Sequence, residues 1–221
     1  MNFFDIKHIF FTAWGYPMSH LEFWGTVAGA IAVWLAAKAN IWSWALGLVN
    51  VVLFFFLFFQ IQLYPDMFLQ VFFFITNLMG WWQWTHPKNH EMNKDNELKI
   101  SRMNLKNALL ITLIGIVATV LMGSFSQNLN VLFPQLFSKP SAFPYLDSFT
   151  TVMSIIATFL MIKKKVENWY MWLAIDLIAT YIYYVKGVKL VSIEYAVFCV
   201  IALFGAINWT REYRTYRAEL V

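Results

Sequence analysis

The chain has 221 residues, of which 60% are hydrophobic and only 13% are charged. A soluble domain normally carries about 25% charged residues, so this composition excludes a soluble globular protein and predicts an integral membrane protein. The formal net charge is +4, and the single cysteine, Cys199, excludes a disulfide within the chain and a CxxC metal site.

Residues 1–20 lack the basic start, apolar centre and small-residue cleavage site of a signal peptide. We therefore expect an N-terminal interfacial segment that contains a short helix. After it, apolar segments of about 20 residues, the length that crosses a bilayer core, recur to the end of the chain. They predict an all-α fold with seven transmembrane helices. The predicted spans are 21–38, 42–62, 64–84, 105–123, 147–162, 168–186 and 189–209.

The positive charges predict how the chain lies in the membrane, because Lys and Arg in short loops stay on the cytoplasmic side. With the N-terminus outside, twelve of the sixteen basic residues fall on cytoplasmic segments. They are Lys38, Lys88, Lys94, Lys99, Arg102, Lys106, Lys163, Lys164, Lys165, Arg211, Arg214 and Arg217. We predict an external N-terminus and a cytoplasmic C-terminus. Charges spread along one membrane edge do not form a nucleic-acid surface.

A weak internal repeat divides the chain into two halves. A shift of 125 residues lays the segment LMGWWQW at 78–84 on LFGAINW at 203–209. The preceding spans begin alike, NIWSW at 40–44 against NWYMW at 168–172, if a few residues are inserted. Tryptophan also recurs at span ends simply because membrane interfaces favour it. We interpret the pattern as two parallel three-helix repeats joined by a connecting helix, a 3+1+3 arrangement.

This interpretation sets the expected organisation of the chain. The predicted regions are the N-terminal interfacial segment (1–20), the first three-helix repeat (21–84), a cytoplasmic loop, connecting helix and external loop (85–146), the second three-helix repeat (147–209) and a cytoplasmic tail (210–221).

Polar side chains inside the spans mark the candidate site, because an unpaired polar group is costly in lipid. Asn50, Asn77 and Asp176 lie near the predicted midplane, and helical spacing aligns further residues with them. The stripes are Gln70, Asn77, Trp81 and Trp84 on the third helix, Asp147, Thr151, Ser154 and Thr158 on the fifth, and Trp169, Trp172, Asp176, Thr180 and Tyr183 on the sixth. We expect the stripes to converge on one polar, aromatic-lined cavity.

Each stripe also has a simpler explanation. Ser and Thr in membrane helices often bond to their own backbone, and tryptophans near a span end fit an aromatic belt. Asp176 is harder to explain, because no Lys or Arg lies in the middle of any span to pair with it. It must be protonated, bonded to amides such as Asn50 or Asn77, or faced with a cation from outside.

Several motifs are characteristic. The first half contains NIWSW at 40–44, LYPD at 63–66 followed by Gln70, and GWWQW at 80–84; the second contains PYLDSFTT at 144–151 and ENWYMW at 167–172, then Asp176. With these motifs the chain resembles, over essentially its whole length, the PnuC family of bacterial nicotinamide riboside transporters, whose architecture is like that of the SWEET sugar transporters. The family's WxxW motif maps onto Trp81 and Trp84. Where the family often has Tyr-Gly before that motif, this chain has Met79-Gly80.

The resemblance implies seven spans, a homotrimer in the bacterial inner membrane, and facilitated diffusion of nicotinamide riboside, a form of vitamin B3. Uptake would be completed by a cytoplasmic kinase that phosphorylates the riboside for NAD biosynthesis. Thiamine, riboflavin and a deoxynucleoside are the alternative substrates within the family. No HExxH, GxSxG, P-loop or channel-filter motif indicates an intramembrane enzyme, an ATP-driven pump or an ion channel, and no cofactor is expected.

The implied substrate is a flat cation with a hydroxylated sugar, which suits tryptophan faces through stacking and cation–π attraction of about 1–2 kcal/mol. Amide side chains would bind the carboxamide and the ribose, and Asp176 would balance the charge. The predicted substrate contacts are Asn50, Gln70, Asn77, Trp81, Trp84, Thr151, Trp172, Asp176, Tyr183 and Asn208.

Overall fold

The computed structural model describes residues 3–13, 15–60, 64–132, 135, 143–185 and 189–218. The regular secondary structure of these residues is helical apart from one antiparallel hairpin, formed by β1 (Ile9–Ala13) and β2 (Tyr16–Ser19). The helices are α1 (His20–Ala37), α2 (Trp42–Gln60), α3 (Tyr64–Thr85), α4 (Leu105–Gln127), the short α5 (Leu129–Leu132), α6 (Pro144–Ile162), α7 (Glu167–Val185) and α8 (Lys189–Ala218), with a single 3-10 turn at Asn89–Glu91.

The long helices coincide with the segments predicted from hydropathy, and the chain is an all-α membrane protein. In the part of the chain that the structure describes, five helices are long and apolar enough to cross a membrane: α1, α2, α4, α6 and the Ser192–Tyr216 part of α8. The other two long helices, α3 and α7, carry two of the three polar stripes, which lower their hydropathy. The predicted span ends at 61–62 and 186, and most of the 124–146 loop, lie outside the described residues.

The N-terminal segment forms a hairpin, so the expected short helix is wrong. The strand IFFTA is rich in aromatic and β-branched residues, which favour extended backbone, and Gly15 supplies a positive φ of 83° at the turn. Ser19 then begins α1 with a capping box to Glu22. The Tyr16 hydroxyl donates to Glu22 Oε1 at 2.6 Å, and this hydrogen bond raises the pKa of Tyr16.

The chain divides into two compact units, Met1–Lys99 and Ile100–Val221, called unit 1 and unit 2 below. In unit 1, α2 packs between α1 and α3, and in unit 2, α7 packs between α6 and α8, with α4 against α6. Small residues on α1, such as Ala28, Ala32 and Ala36, are buried and allow close helix approach. At one end of unit 1, Gln60 bonds to the backbone of Phe4 and Ile6 and so holds the N-terminal segment.

The α1–α2 and α6–α7 turns have the same backbone geometry. Ala39 and Lys164 both adopt left-handed φ, at 55° and 50°, and both are buried. In the first turn the backbone N–H of Asn40 donates to Leu35 O at 2.9 Å. In the second, the backbone N–H of Lys165 donates to Leu160 O, also at 2.9 Å. These are Schellman motifs, which end one helix and set the direction of the next. The second turn follows the first at an offset of 125 residues.

A tryptophan packs against a glycine in each unit at the same offset. Trp44 of α2 lies on Gly80 of α3, and its ring meets Trp84 edge to face at a centroid distance of 5.2 Å and 88°. In unit 2, Trp169 of α7 lies on Gly205 of α8 and meets Trp209 at 5.6 Å and 84°. The structural counterpart of Trp44 is thus Trp169, with no insertion, whereas the sequence motif aligned Trp44 with Trp172.

These contacts predict the effect of adding one methyl group. We expect Gly80→Ala and Gly205→Ala to lower the midpoint of thermal unfolding in detergent, because the new Cβ would overlap the ring of Trp44 or Trp169. Overpacking of this kind costs about 1–3 kcal/mol.

Gly115→Ala of α4 is the matched control. A Cβ at that position would lie 3.4 Å from Ile156 Cδ1 and 3.5 Å from Met153 Sδ, which is ordinary contact. Its midpoint should stay at the parent value. Equal midpoints for all three variants would contradict the proposed packing constraint.

Candidate substrate-binding site

The polar stripe predicted on α3 runs along the contact between α3 and α2. Gln70 is buried and lines a cavity of about 240 Å³ between these helices. The other lining residues are Val51, Val52, Phe55, Phe56, Val71 and Phe74. Small-molecule pockets usually have about 300–1,000 Å³. This largely apolar cavity in unit 1 can therefore hold only part of a substrate.

Both midplane asparagines of unit 1 take part in helix packing. Asn50 Nδ2 donates to Gly25 O of α1 at 2.8 Å. Asn77 Nδ2 donates to Phe73 O of its own helix at 2.8 Å, and its amide lies directly against Gly47 of α2. Each amide uses one donor on a backbone carbonyl and keeps further hydrogen-bonding groups. The Asn77 amide fills the space beside Gly47 that a Cβ would occupy, so Gly47 admits this amide to the α2–α3 contact.

The two tryptophans of the WxxW motif have different surroundings. Trp84 is fully buried against Trp44, which favours a packing role. Trp81 is half-buried. Trp82, between them, is 65% exposed and stacks on His86 at 3.8 Å, as an interfacial residue would. Trp81 is thus the tryptophan of this motif whose ring is partly buried and still accessible.

In unit 2, α7 brings three predicted contacts onto one face. Asp176 is 5% exposed, and Thr180 Oγ1 donates to its backbone carbonyl at 2.7 Å. The Trp172 indole N–H is buried and has no acceptor among the described residues. Tyr183 stacks on Tyr195 of α8, with centroids 5.4 Å apart and planes at 8°. The unpartnered indole N–H and the buried carboxylate make this face of α7 a candidate for ligand binding.

The structure gives less support to Thr151 and Asn208 as substrate contacts. Thr151 of α6 is exposed, and its Oγ1 donates to Asp147 O at 2.8 Å, the backbone bond expected from the simpler explanation. Asn208 is half-buried on α8, next to the buried Trp209. Asn50 faces α1 and Asn77 faces α2, whereas Tyr183 of α7 contacts Tyr195 of α8, so the structure does not bring the predicted contacts of each unit into one cluster.

Sequence reasoning missed two residues of α8 that face this part of α7. The Tyr195 ring stacks on Tyr183, and its hydroxyl lies within electrostatic range of Asp176. Cys199 lies one turn further along α8 and is likewise within electrostatic range of Asp176. The repeat could have revealed Tyr195, because it follows Gln70 by 125 residues.

Known proteins share this sequence and fold. A family model described as nicotinamide mononucleotide transporter matches residues 19–211. The chain is 37% identical to the nicotinamide riboside transporter PnuC of Escherichia coli (strain K12), over 97% of this chain and 96% of that protein. It is 22% identical to the riboflavin/roseoflavin transporter RibM of Streptomyces davaonensis, over 84% of this chain and 82% of that protein. These relatives carry the names of transporters, not of enzymes.

The fold is also similar to a solved structure, the crystal structure of the vitamin B3 transporter PnuC. The two superpose with a TM-score of 0.64 and 24% sequence identity, covering 88% of this chain and 82% of that one. At this identity the likeness shows the fold alone.

The different surroundings of Trp81 and Trp82 give a test. Trp81→Ala should weaken binding of nicotinamide riboside to the purified protein about tenfold, because stacking and cation–π attraction are worth about 1–2 kcal/mol. Asn77→Ala should also weaken binding. The matched control is Trp82→Ala, which should bind like the parent in the same calorimetric titration. If Trp81→Ala also binds like the parent, the aromatic-belt explanation is correct.

Proposed function

Since this chain belongs to the nicotinamide mononucleotide transporter family, we propose that it carries nicotinamide riboside across the bacterial inner membrane. The observation that carries the proposal is the 37% identity, over nearly the whole of both chains, to an Escherichia coli protein with that named substrate. The alternative is riboflavin, because RibM is a more distant relative. Thiamine and a deoxynucleoside are further alternatives, suggested by family resemblance alone.

The candidate residues favour the riboside over the mononucleotide of the family description. A phosphate group needs Arg, Lys or a cluster of backbone N–H donors to balance its charge. None of the candidate contacts is cationic, and the ionised carboxylate of Asp176 would repel a phosphate. The riboside instead brings a permanent positive charge and hydroxyl groups, which a carboxylate can balance or bind.

We assign the predicted contacts as follows. Trp81 in unit 1 and Trp172 in unit 2 are the candidates for stacking on a nicotinamide ring, and Asn77, Gln70, Asn50 and Asn208 are the candidates for bonding to polar groups of the substrate. Asp176 and Tyr183 form the acidic, aromatic part of the site. Trp84 and Thr151 act mainly through packing and backbone bonds, as their surroundings favour.

For the architecture we propose seven spans in a 3+1+3 arrangement of parallel repeats, with α4 as the connecting helix. Support comes from the matching turns at Ala39 and Lys164 and the matching Trp–Gly contacts, all at one offset. Repeats of this kind are an established transporter architecture. The N-terminus would lie outside and the C-terminus inside. The homotrimer rests on the family resemblance alone.

Transport would be facilitated diffusion, with phosphorylation of the riboside completing uptake. If so, proteoliposomes should equilibrate the riboside in both directions and never exceed the outside concentration, because a carrier without energy input cannot move an equilibrium. An imposed proton gradient should leave the final level unchanged. Accumulation that Asp176→Asn abolishes would instead assign Asp176 to proton coupling and contradict the proposal.

A second measurement tests the orientation. A cysteine placed in the 85–104 loop, in a Cys199→Ser background, should be shielded from an impermeant thiol reagent in intact cells, whereas one in the 124–146 loop should react. The loops differ because most of the positive charges fall on one side of the proposed topology. Reversed labelling would overturn the assignment of the two membrane sides.

A further inference from the structure

The strongest unassigned feature lies between α7 and α8. Asp176 is 5% exposed, yet within the described ranges its carboxylate has no hydrogen bond or ion pair. Three side chains lie near it: Thr180 on the next turn of α7, whose hydroxyl donates to the Asp176 backbone carbonyl, and Tyr195 and Cys199 of α8, both within electrostatic range. A buried carboxylate that lacks a partner is costly. Its surroundings are polar groups that donate hydrogen bonds, and none of them is a cation.

The repeat identifies the position of this group in the fold. Val51, Phe55, Gln70 and Phe74 line the cavity between α2 and α3. The residues 125 positions later are Asp176, Thr180, Tyr195 and Cys199. The place that forms a largely apolar cavity in unit 1 is therefore where unit 2 gathers a carboxylate, two hydroxyls and a thiol.

We propose that Tyr195 and Cys199 contact the substrate, and that with Asp176 and Thr180 they form a cleft for the vicinal hydroxyl groups of its sugar. This inference rests on the proposed function, and it names which part of the substrate unit 2 binds. A carboxylate has two oxygens and accepts two O–H donors at once, the arrangement that neighbouring ribose hydroxyls present. The Tyr195 hydroxyl can donate or accept, and the Thr180 hydroxyl, which donates to the Asp176 backbone carbonyl, can still accept, so they complete the set of partners.

Cys199 has a steric role in this cleft. It is the smallest side chain of the four, and its counterpart in unit 1 is the bulky Phe74. A small thiol beside Asp176 leaves room for a sugar where a phenyl ring would fill the space. Cys199 thus sets the width of the cleft, and Tyr195 sets its hydrogen bonding.

The test compares nicotinamide riboside with its 2′,3′-dideoxy analogue, which keeps the cationic ring and lacks both hydroxyls. Tyr195→Phe should weaken binding of the riboside about tenfold, because a hydrogen bond to a charged or polar partner is lost, and leave the analogue unchanged. The matched control is Tyr184→Phe, on an exposed face of α7. It should bind both ligands like the parent.

A second pair of variants tests the width of the cleft. Cys199→Phe should reduce riboside binding at least tenfold, whereas Val200→Phe, at a 68% exposed position, should not. Gel filtration and thermal unfolding establish that each variant is folded. If Tyr195→Phe weakens both ligands equally, or neither, or if Cys199→Phe binds normally, the cleft does not bind the sugar.

Different results would contradict the proposed substrate and the proposed hydroxyl cleft. A parent protein that binds riboflavin but no riboside would contradict the proposed substrate. A parent that binds the riboside and the dideoxy analogue equally well would keep that substrate and contradict the hydroxyl cleft alone.

Discussion

In each unit the close packing of a tryptophan ring on a glycine of the next helix fixes how the helices meet. Trp44 on Gly80 and Trp169 on Gly205 bring the backbones together in a membrane, where no hydrophobic force drives helices to associate. The contact has a cost, because neither indole N–H has an acceptor among the described residues. An unpaired buried donor costs about 1–3 kcal/mol. Because both units keep this unpaired N–H, we infer that the ring packing stabilises each unit by more than the N–H costs.

Beyond the Trp–Gly contact that both units share, the two units have different side chains at equivalent positions. In unit 1, Gly47 of α2 makes room for the Asn77 amide of α3. The residues 125 positions later are Trp172 and Ala202, so in unit 2 the large side chain comes from the first helix of the pair and the small one from the second. Unit 1 offers an amide and an apolar cavity, whereas unit 2 offers an indole N–H and a carboxylate.

The sequence predicted the helices well because apolar length is a strong signal in membrane proteins. It failed at the N-terminus, where the short aromatic strand at 9–13 carries no apolar period and its pairing with 16–19 depends on Gly15. The polar stripes led to Asp176, since a midplane carboxylate is conspicuous against an apolar background. They did not lead to Tyr195 or Cys199, whose importance depends on the α7–α8 contact and not on spacing along one helix. Nor could spacing separate Trp81 from Trp84, because only packing against Trp44 distinguishes them.

The Schellman turns have a mechanical consequence. Ala39 and Lys164 hold a left-handed conformation that non-glycine residues adopt reluctantly, and each is buried at the same end of its helix pair as the packed tryptophans. Both the backbone and the ring packing therefore stiffen that end. In unit 1 the opposite end is held by the hydrogen bonds of Gln60 to Phe4 and Ile6, at the start of the chain. In unit 1 the α1–α2 pair is therefore held at both ends, by the Schellman turn and the ring packing at one end and by Gln60 at the other.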